Sequence, residues 1–156
     1  MPTSGSRPEL LVDTSVAVAL TVADHEHHEA AFQALGDRRL GLAGHAAFET
    51  FSVLTRLPPP ARRTPATIAR LLAADFPHSR FLGAEAAAAL LGELNALGIA
   101  GGAVYDALVG ASAREHGLRL ATRDGRAIET YRALNVQVEL VDGVERLMGS
   151  TGHESS

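Results

Sequence analysis

Asp106 lies inside Gly101–Ala113, a stretch reading GGAVYDALVGASA in which nearly every other residue is small or apolar. A helix of that composition is buried around most of its circumference. An ionised carboxylate facing such an interior costs several kcal/mol unless something compensates it. Two further acids stand where a buried element begins or ends, Asp13 after ELLV and Asp124 after LRLATR, and Glu49, within HAAFETF, could reach the same rim from its helix. Each has an ordinary explanation when taken alone, because Asp13, Asp106 and Asp124 suit helix caps and Glu49 suits an i,i+4 contact with His45. Gathered at one rim, however, four carboxylates repel one another strongly. A hard divalent cation removes that difficulty, and all-oxygen ligation selects Mg²⁺ or Mn²⁺ over zinc. Such an ion keeps water ligands and recruits substrate phosphates, so the implied chemistry is phosphodiester hydrolysis by metal-activated water.

The elements that must position these acids follow from the apolar pattern. Glu9–Val12 reads as a short buried strand that turns at Asp13-Thr14-Ser15 into a helix over Val16–Val22. His25-Glu26-His27-His28 opens a second helix that ends near Leu35 with Gly36 as its stop; its histidines read as a solvated face rather than a metal pair. Arg39–Ala43 is a second strand, and Gly44-His45 leads into a helix over Ala46–Leu57. Phe48, Phe51 and Thr55, with Ala47 and Leu54, form its expected core face, and Glu49 lies beside that stripe. Pro58-Pro59-Pro60 ends the helix in a stiff loop carrying Arg62 and Arg63. Thr64-Pro65 restarts one, with Ile68, Leu71, Leu72 and Phe76 inward. Arg80–Gly83 is read as a short strand, and Ala84–Leu97 as a helix with Leu90, Leu91, Leu94 and Leu97 as its seam and Gly98 as its stop. The apolar helix closes at His116-Gly117. Leu118–Ala121 is then a strand, and Thr122-Arg123-Asp124-Gly125 turns it into a helix with Ile128, Tyr131 and Leu134 inward.

Val136, Val138 and Leu140 alternate with Gln137 and Glu139, the pattern of a strand with one wet face, at or near a sheet edge. A short helix over Val144–Leu147 completes a single domain spanning 9–148, flanked by polar tails at 1–8 and 149–156. Strands alternating with helices imply right-handed crossovers and a parallel sheet covered on both faces. Ligands of such sheets bind beyond the carboxyl ends of the strands, where Asp13 and Asp124 fall.

Composition removes several chemistries. The 156 residues contain no cysteine, and all 14 basic residues are arginine. Thiolate metal sites, cysteine nucleophiles, Schiff-base lysines and P-loop lysines are therefore excluded. The apolar run Leu10–Ala23 is broken by Asp13 and is too short to span a bilayer, which implies a cytoplasmic protein with no membrane partner. A net charge of −4 is the wrong sign for a phosphate-binding surface; four acids taken up by a metal site leave the other charges balanced.

Four segments, LLVDTSV, AFETFSVL, VYDALVGASA and LATRDGRA, in this order and at these separations, resemble the acidic motifs of PIN-domain ribonucleases. The similarity is closest to the VapC toxins of bacterial toxin–antitoxin pairs, and it runs from Leu10 to about Asp142. It implies an α/β fold, a three-layer α/β/α sandwich on a mainly parallel sheet. It also implies a Mg²⁺- or Mn²⁺-dependent endoribonuclease with Asp13, Glu49, Asp106 and Asp124 as catalytic and metal-binding acids and Ser15 and Thr122 as supporting hydroxyls. The expected partners are an RNA substrate, a VapB-like antitoxin and a second copy of the chain. Arg62, Arg63, Arg123 and Arg126 are candidates for RNA-backbone contacts, and the apolar surplus between Ile68 and Leu97 suits a partner helix. The alternative is a PIN-like domain that binds RNA or a partner without cleaving. A haloacid-dehalogenase-type phosphatase would need an acid where Ser15 stands, and, like a receiver domain, a lysine. Gly98–Gly102 makes a poor dinucleotide fingerprint because no strand precedes it.

Overall fold

Consecutive apolar residues mark a strand covered on both faces, and three of the four observed strands have this form. In the computed structural model, which describes residues 9–141, β1 (Glu9–Val12), β2 (Arg39–Leu42) and β3 (Arg119–Thr122) each bury their last three residues. β4 (Val138–Leu140) is only half-buried. The four pair in parallel in the order β2-β1-β3-β4, which puts β4 at an edge, as its alternation implies. It also makes β1 and β3 adjacent, so that Asp13 and Thr122 leave the sheet side by side.

Seven helices are described: α1 (Thr14–Thr21), α2 (His28–Leu35), α3 (His45–Thr55), α4 (Pro65–Asp75), α5 (Ala84–Leu97), α6 (Ala103–Glu115) and α7 (Ile128–Ala133). One sheet face packs Leu10 and Val12 against Val16 and Ala17 of α1, Leu35 of α2 and Phe76. The other packs Leu11 and Leu120 against Leu90 of α5, the small residues of α6 and Tyr131 of α7. These are the two helical layers and the central sheet expected of an α/β/α sandwich. None of these helices is long and apolar enough to cross a membrane.

Some expectations need correction. The expected α3 core face holds at Leu54 but is otherwise turned: Ala46 and Thr50 are buried beside it, while Phe48 is 65% exposed. α3 packs on both α1 and α6, and the close approach takes small residues rather than rings. Of the expected α5 seam only Leu90 is buried, and Leu91 is 72% exposed; α5 makes its main helix contact with α6 alone and needs just a narrow stripe. Arg80–Gly83 is not a strand but contributes a lone bridge from Arg80 to Ala43. His78 N–H and Arg80 N–H do donate to Leu40 and Leu42 carbonyls, yet the Leu42 N–H is taken by the Ser79 hydroxyl at 2.9 Å, which interrupts the ladder. The segment nonetheless covers the β2 edge, and Gly41 makes room for it, since a Cβ there would fall 2.1 Å from the His78 carbonyl oxygen. His25–His27 precede α2 in a turn rather than opening the helix, the His25 Nδ1 accepting from the His27 N–H at 3.1 Å. The helix expected over Val144–Leu147 lies outside the described residues.

Candidate active site

Asp13 begins where β1 ends and serves as the N-cap of α1, its Oδ1 accepting the Val16 N–H at 3.3 Å. One side chain thus combines the cap of α1 with a place in the candidate site. The same Oδ1 accepts from the Ser15 hydroxyl at 2.6 Å, and Oδ2 accepts from the Tyr131 hydroxyl at 2.9 Å. Burial pushes the Asp13 carboxyl up, and hydrogen bonds from Ser15, Thr122, Tyr131 and the Val16 amide pull against it.

Two of those hydroxyls act as relays. Ser15 Oγ accepts the Arg123 N–H at 2.9 Å while donating to Asp13. Thr122, fully buried at the end of β3, accepts the Asp124 N–H at 3.0 Å on its Oγ1 and hydrogen-bonds Asp13. The turn 122–124 is thereby tied to Asp13 twice. A hydroxyl can donate once while accepting, which is why Ser and Thr suit these two positions.

Asp124 is exposed in that turn, its Oδ1 accepting the Arg126 N–H at 2.9 Å. Glu49 comes from α3, with its Oε1 3.3 Å from His45 Nε2 and its Oε2 3.4 Å from Thr14 Oγ1. Asp106 lies at the end of the first turn of α6, beyond the N-cap at Gly102, so it is not the cap. Its carboxyl is pushed up to about 6, first by burial and then by Asp124, Glu49 and Asp13. All four predicted acids therefore act within one field. Glycines permit the approach. Gly44, at φ +49°, starts α3 so close to α6 that a Cβ would meet Ser112 Oγ at 2.1 Å. A Cβ on Gly110 would meet the Tyr131 ring at 3.1 Å.

Tyr131 was expected only as a core residue. Its ring is buried, but its hydroxyl is held far above its ordinary value by burial, by Asp13 and by the more distant Asp106 and Asp124. It remains a proton donor beneath the acids. A phenol at an inward helical position needs a hydrogen-bond partner, and that was the available signal.

The arginines are divided. Arg126 is exposed in the Asp124 turn, and Arg123 is near enough to His25 to depress its basicity after burial. Arg62 and Arg63 are exposed and donate to the Leu57 and Pro60 carbonyls at 2.8 and 3.3 Å. Arg63 lines an open cleft of about 550 Å³ with Thr21, Val22 and Leu57, at the end of α1 remote from Asp13. These two do not join the acidic rim.

The donor set of carboxylates and hydroxyls fits a hard cation. Among the described residues no three His, Asp or Glu side chains are gathered closely enough to chelate an ion as they stand. This agrees with the mutual influence of the acids, because Coulomb repulsion reaches well beyond a coordination bond of roughly 2.0–2.1 Å.

The PIN domain model matches residues 10–133 of the chain. The chain belongs to the PIN-domain family. Within that family it is 50% identical over 131 residues to ribonuclease VapC40 of Mycobacterium tuberculosis, covering 83% of this chain and 96% of that one. Ribonuclease VapC27 of the same organism is 46% identical over 132 residues, covering 85% and 96%. Among solved structures, VapBC2 from Rickettsia felis bound to a DNA fragment from their promoter shares the PIN fold with a TM-score of 0.61 at 14% identity, covering 85% of this chain and 98% of that one.

Proposed function

We propose that this PIN domain is the toxin of a type II toxin–antitoxin pair, a divalent-metal-dependent endoribonuclease acting in the cytoplasm. The observation that carries the reading is the convergence of four acids, in which Asp124, Glu49 and Asp13 each push the Asp106 carboxyl upward. The half-identity to two proteins named as VapC ribonucleases supports the activity, and a structural neighbour solved as a VapBC assembly supports an antitoxin partner. Asp13 and Asp106 would hold Mg²⁺ or Mn²⁺, with Glu49 and Asp124 completing the set. Bound there, the ion would activate water for attack at phosphorus and neutralise the developing charge. Ser15, Thr122, Tyr131 and the Val16 amide orient the Asp13 carboxylate from the protein side. Arg123 and Arg126 stand nearest for the RNA backbone, with Arg62 and Arg63 as outlying contacts. The exposed Phe48, Phe81, Leu91 and Leu97 supply apolar surface for a VapB-like antitoxin or a second copy of the chain.

The test is cleavage of an RNA pool in Mn²⁺ with and without chelator, for the wild type and for Asp13→Asn. Cleavage lost with chelator and with the substitution, leaving 5′-phosphate ends, is expected. Cyclic phosphate ends, or cleavage surviving both perturbations, would refute the scheme. Light scattering during titration with the product of the adjacent upstream gene checks the assembly, and unchanged mass and activity would refute it.

A further inference from the structure

Two aromatic rings, Tyr105 and His45, stand at the edge of the acidic rim. Tyr105 precedes Asp106 on α6, and its ring stacks on the His45 imidazole with centroids 5.2 Å apart and planes inclined by 21°. His45 in turn contacts Glu49 at 3.3 Å, so the stacked pair adjoins two of the four acids. Although one ring face rests on the imidazole, Tyr105 keeps 54% of its surface exposed. An aromatic ring left open to water contributes little to folding, whereas proteins that read single-stranded RNA splay its bases onto such rings.

We propose that Tyr105, backed by His45, is a positioning residue that stacks one unpaired nucleobase of the RNA beside the acids. This rests on the ribonuclease reading above. The imidazole fixes the ring plane, so the base meets a preset surface, and the neighbouring phosphate is directed to the rim. The contact is sequence-tolerant, because every base has a π-face, but it requires an unpaired strand.

The experiment measures anisotropy of a labelled single-stranded oligoadenylate in chelator, where nothing is cleaved, and steady-state cleavage in Mn²⁺. Tyr105→Ala should weaken binding roughly 5- to 100-fold and raise KM similarly with kcat little changed, while Tyr105→Phe and Tyr105→Trp restore both. Moving a single abasic site along the oligoadenylate should reveal one position at which Tyr105→Ala has no further effect. Equal loss in kcat, failure of Tyr105→Phe to rescue, or absence of such a position would overturn the proposal. So would a change of mass in light scattering on Tyr105→Ala, since the ring would then serve self-association. Absence of wild-type cleavage would instead count against the ribonuclease reading, which the binding arm does not need.

Discussion

Replacing Asp106 with Asn should make the metal-free protein more stable while abolishing its response to metal. The Asp106 carboxyl is held at about 6 against 3.8 for an ordinary aspartate. At ~1.36 kcal/mol per tenfold change in proton affinity, ionisation in the folded state costs about 3 kcal/mol. Water reaches the half-exposed site, and screening reduces this to about 1–2 kcal/mol. The sign follows from proton linkage. The folded state binds this proton more tightly than the unfolded chain, so the stability contribution is intact below 3.8 and is lost as pH rises from there through 6. Asn carries no such loss. In chelator at pH 7.5, urea or thermal unfolding should therefore place Asp106→Asn above wild type by about 1–2 kcal/mol, or roughly 3–6 °C in a domain of this size. The gap should shrink as the pH falls through 6. With Mn²⁺ added in excess the order should reverse, because only the wild type gains binding free energy. An Asn variant equal to or weaker than wild type in chelator at pH 7.5 would show that the carboxylate is already compensated, and the argument for a cation at the rim would fail.

Tyr131→Phe removes one of the hydrogen bonds that hold Asp13 ionised in a buried place. It should lower stability by about 1–2 kcal/mol at pH 8 and by less as the pH falls and the Asp13 carboxyl takes up its proton, measured by urea unfolding; a loss that does not change with pH would mean that the phenol does not serve the ionised form. Thr50 is fully buried and its hydroxyl has no hydrogen-bond partner among the described residues. Thr50→Val, of matching shape, should raise stability by about 1 kcal/mol in thermal unfolding, and a drop would reveal a partner for the oxygen.

Much of the scaffold was readable because local chemistry agreed with the global fold. Thr64 caps α4 and Pro65 opens it, Gly98 ends α5 in the left-handed region, and the apolar runs of β1 and β3 mark buried strands. Asp13, Asp106 and Asp124 drew notice for a related reason, since each stood at an element end or in an apolar helix where charge needs an explanation. What could not be read was rotation. On α3, period alone does not say which of several apolar rows faces inward, and the two phenylalanines weighted the choice toward Phe48. The observed phase follows what α3 approaches: Gly44 brings its start against Ser112 of α6, and the row Ala46, Thr50 and Leu54 is the one buried.

That same rotation serves the site. At about 100° per residue, burying Ala46 and Thr50 carries Phe48 to the opposite side and leaves Glu49 on the flank of the buried stripe, where it faces Thr14 and influences Asp106. Turning Phe48 inward would swing Glu49 away from that flank. The exposed ring is thus the counterpart of a positioned carboxylate, and the helix on which ordinary core reasoning failed is one that delivers an acid to the rim.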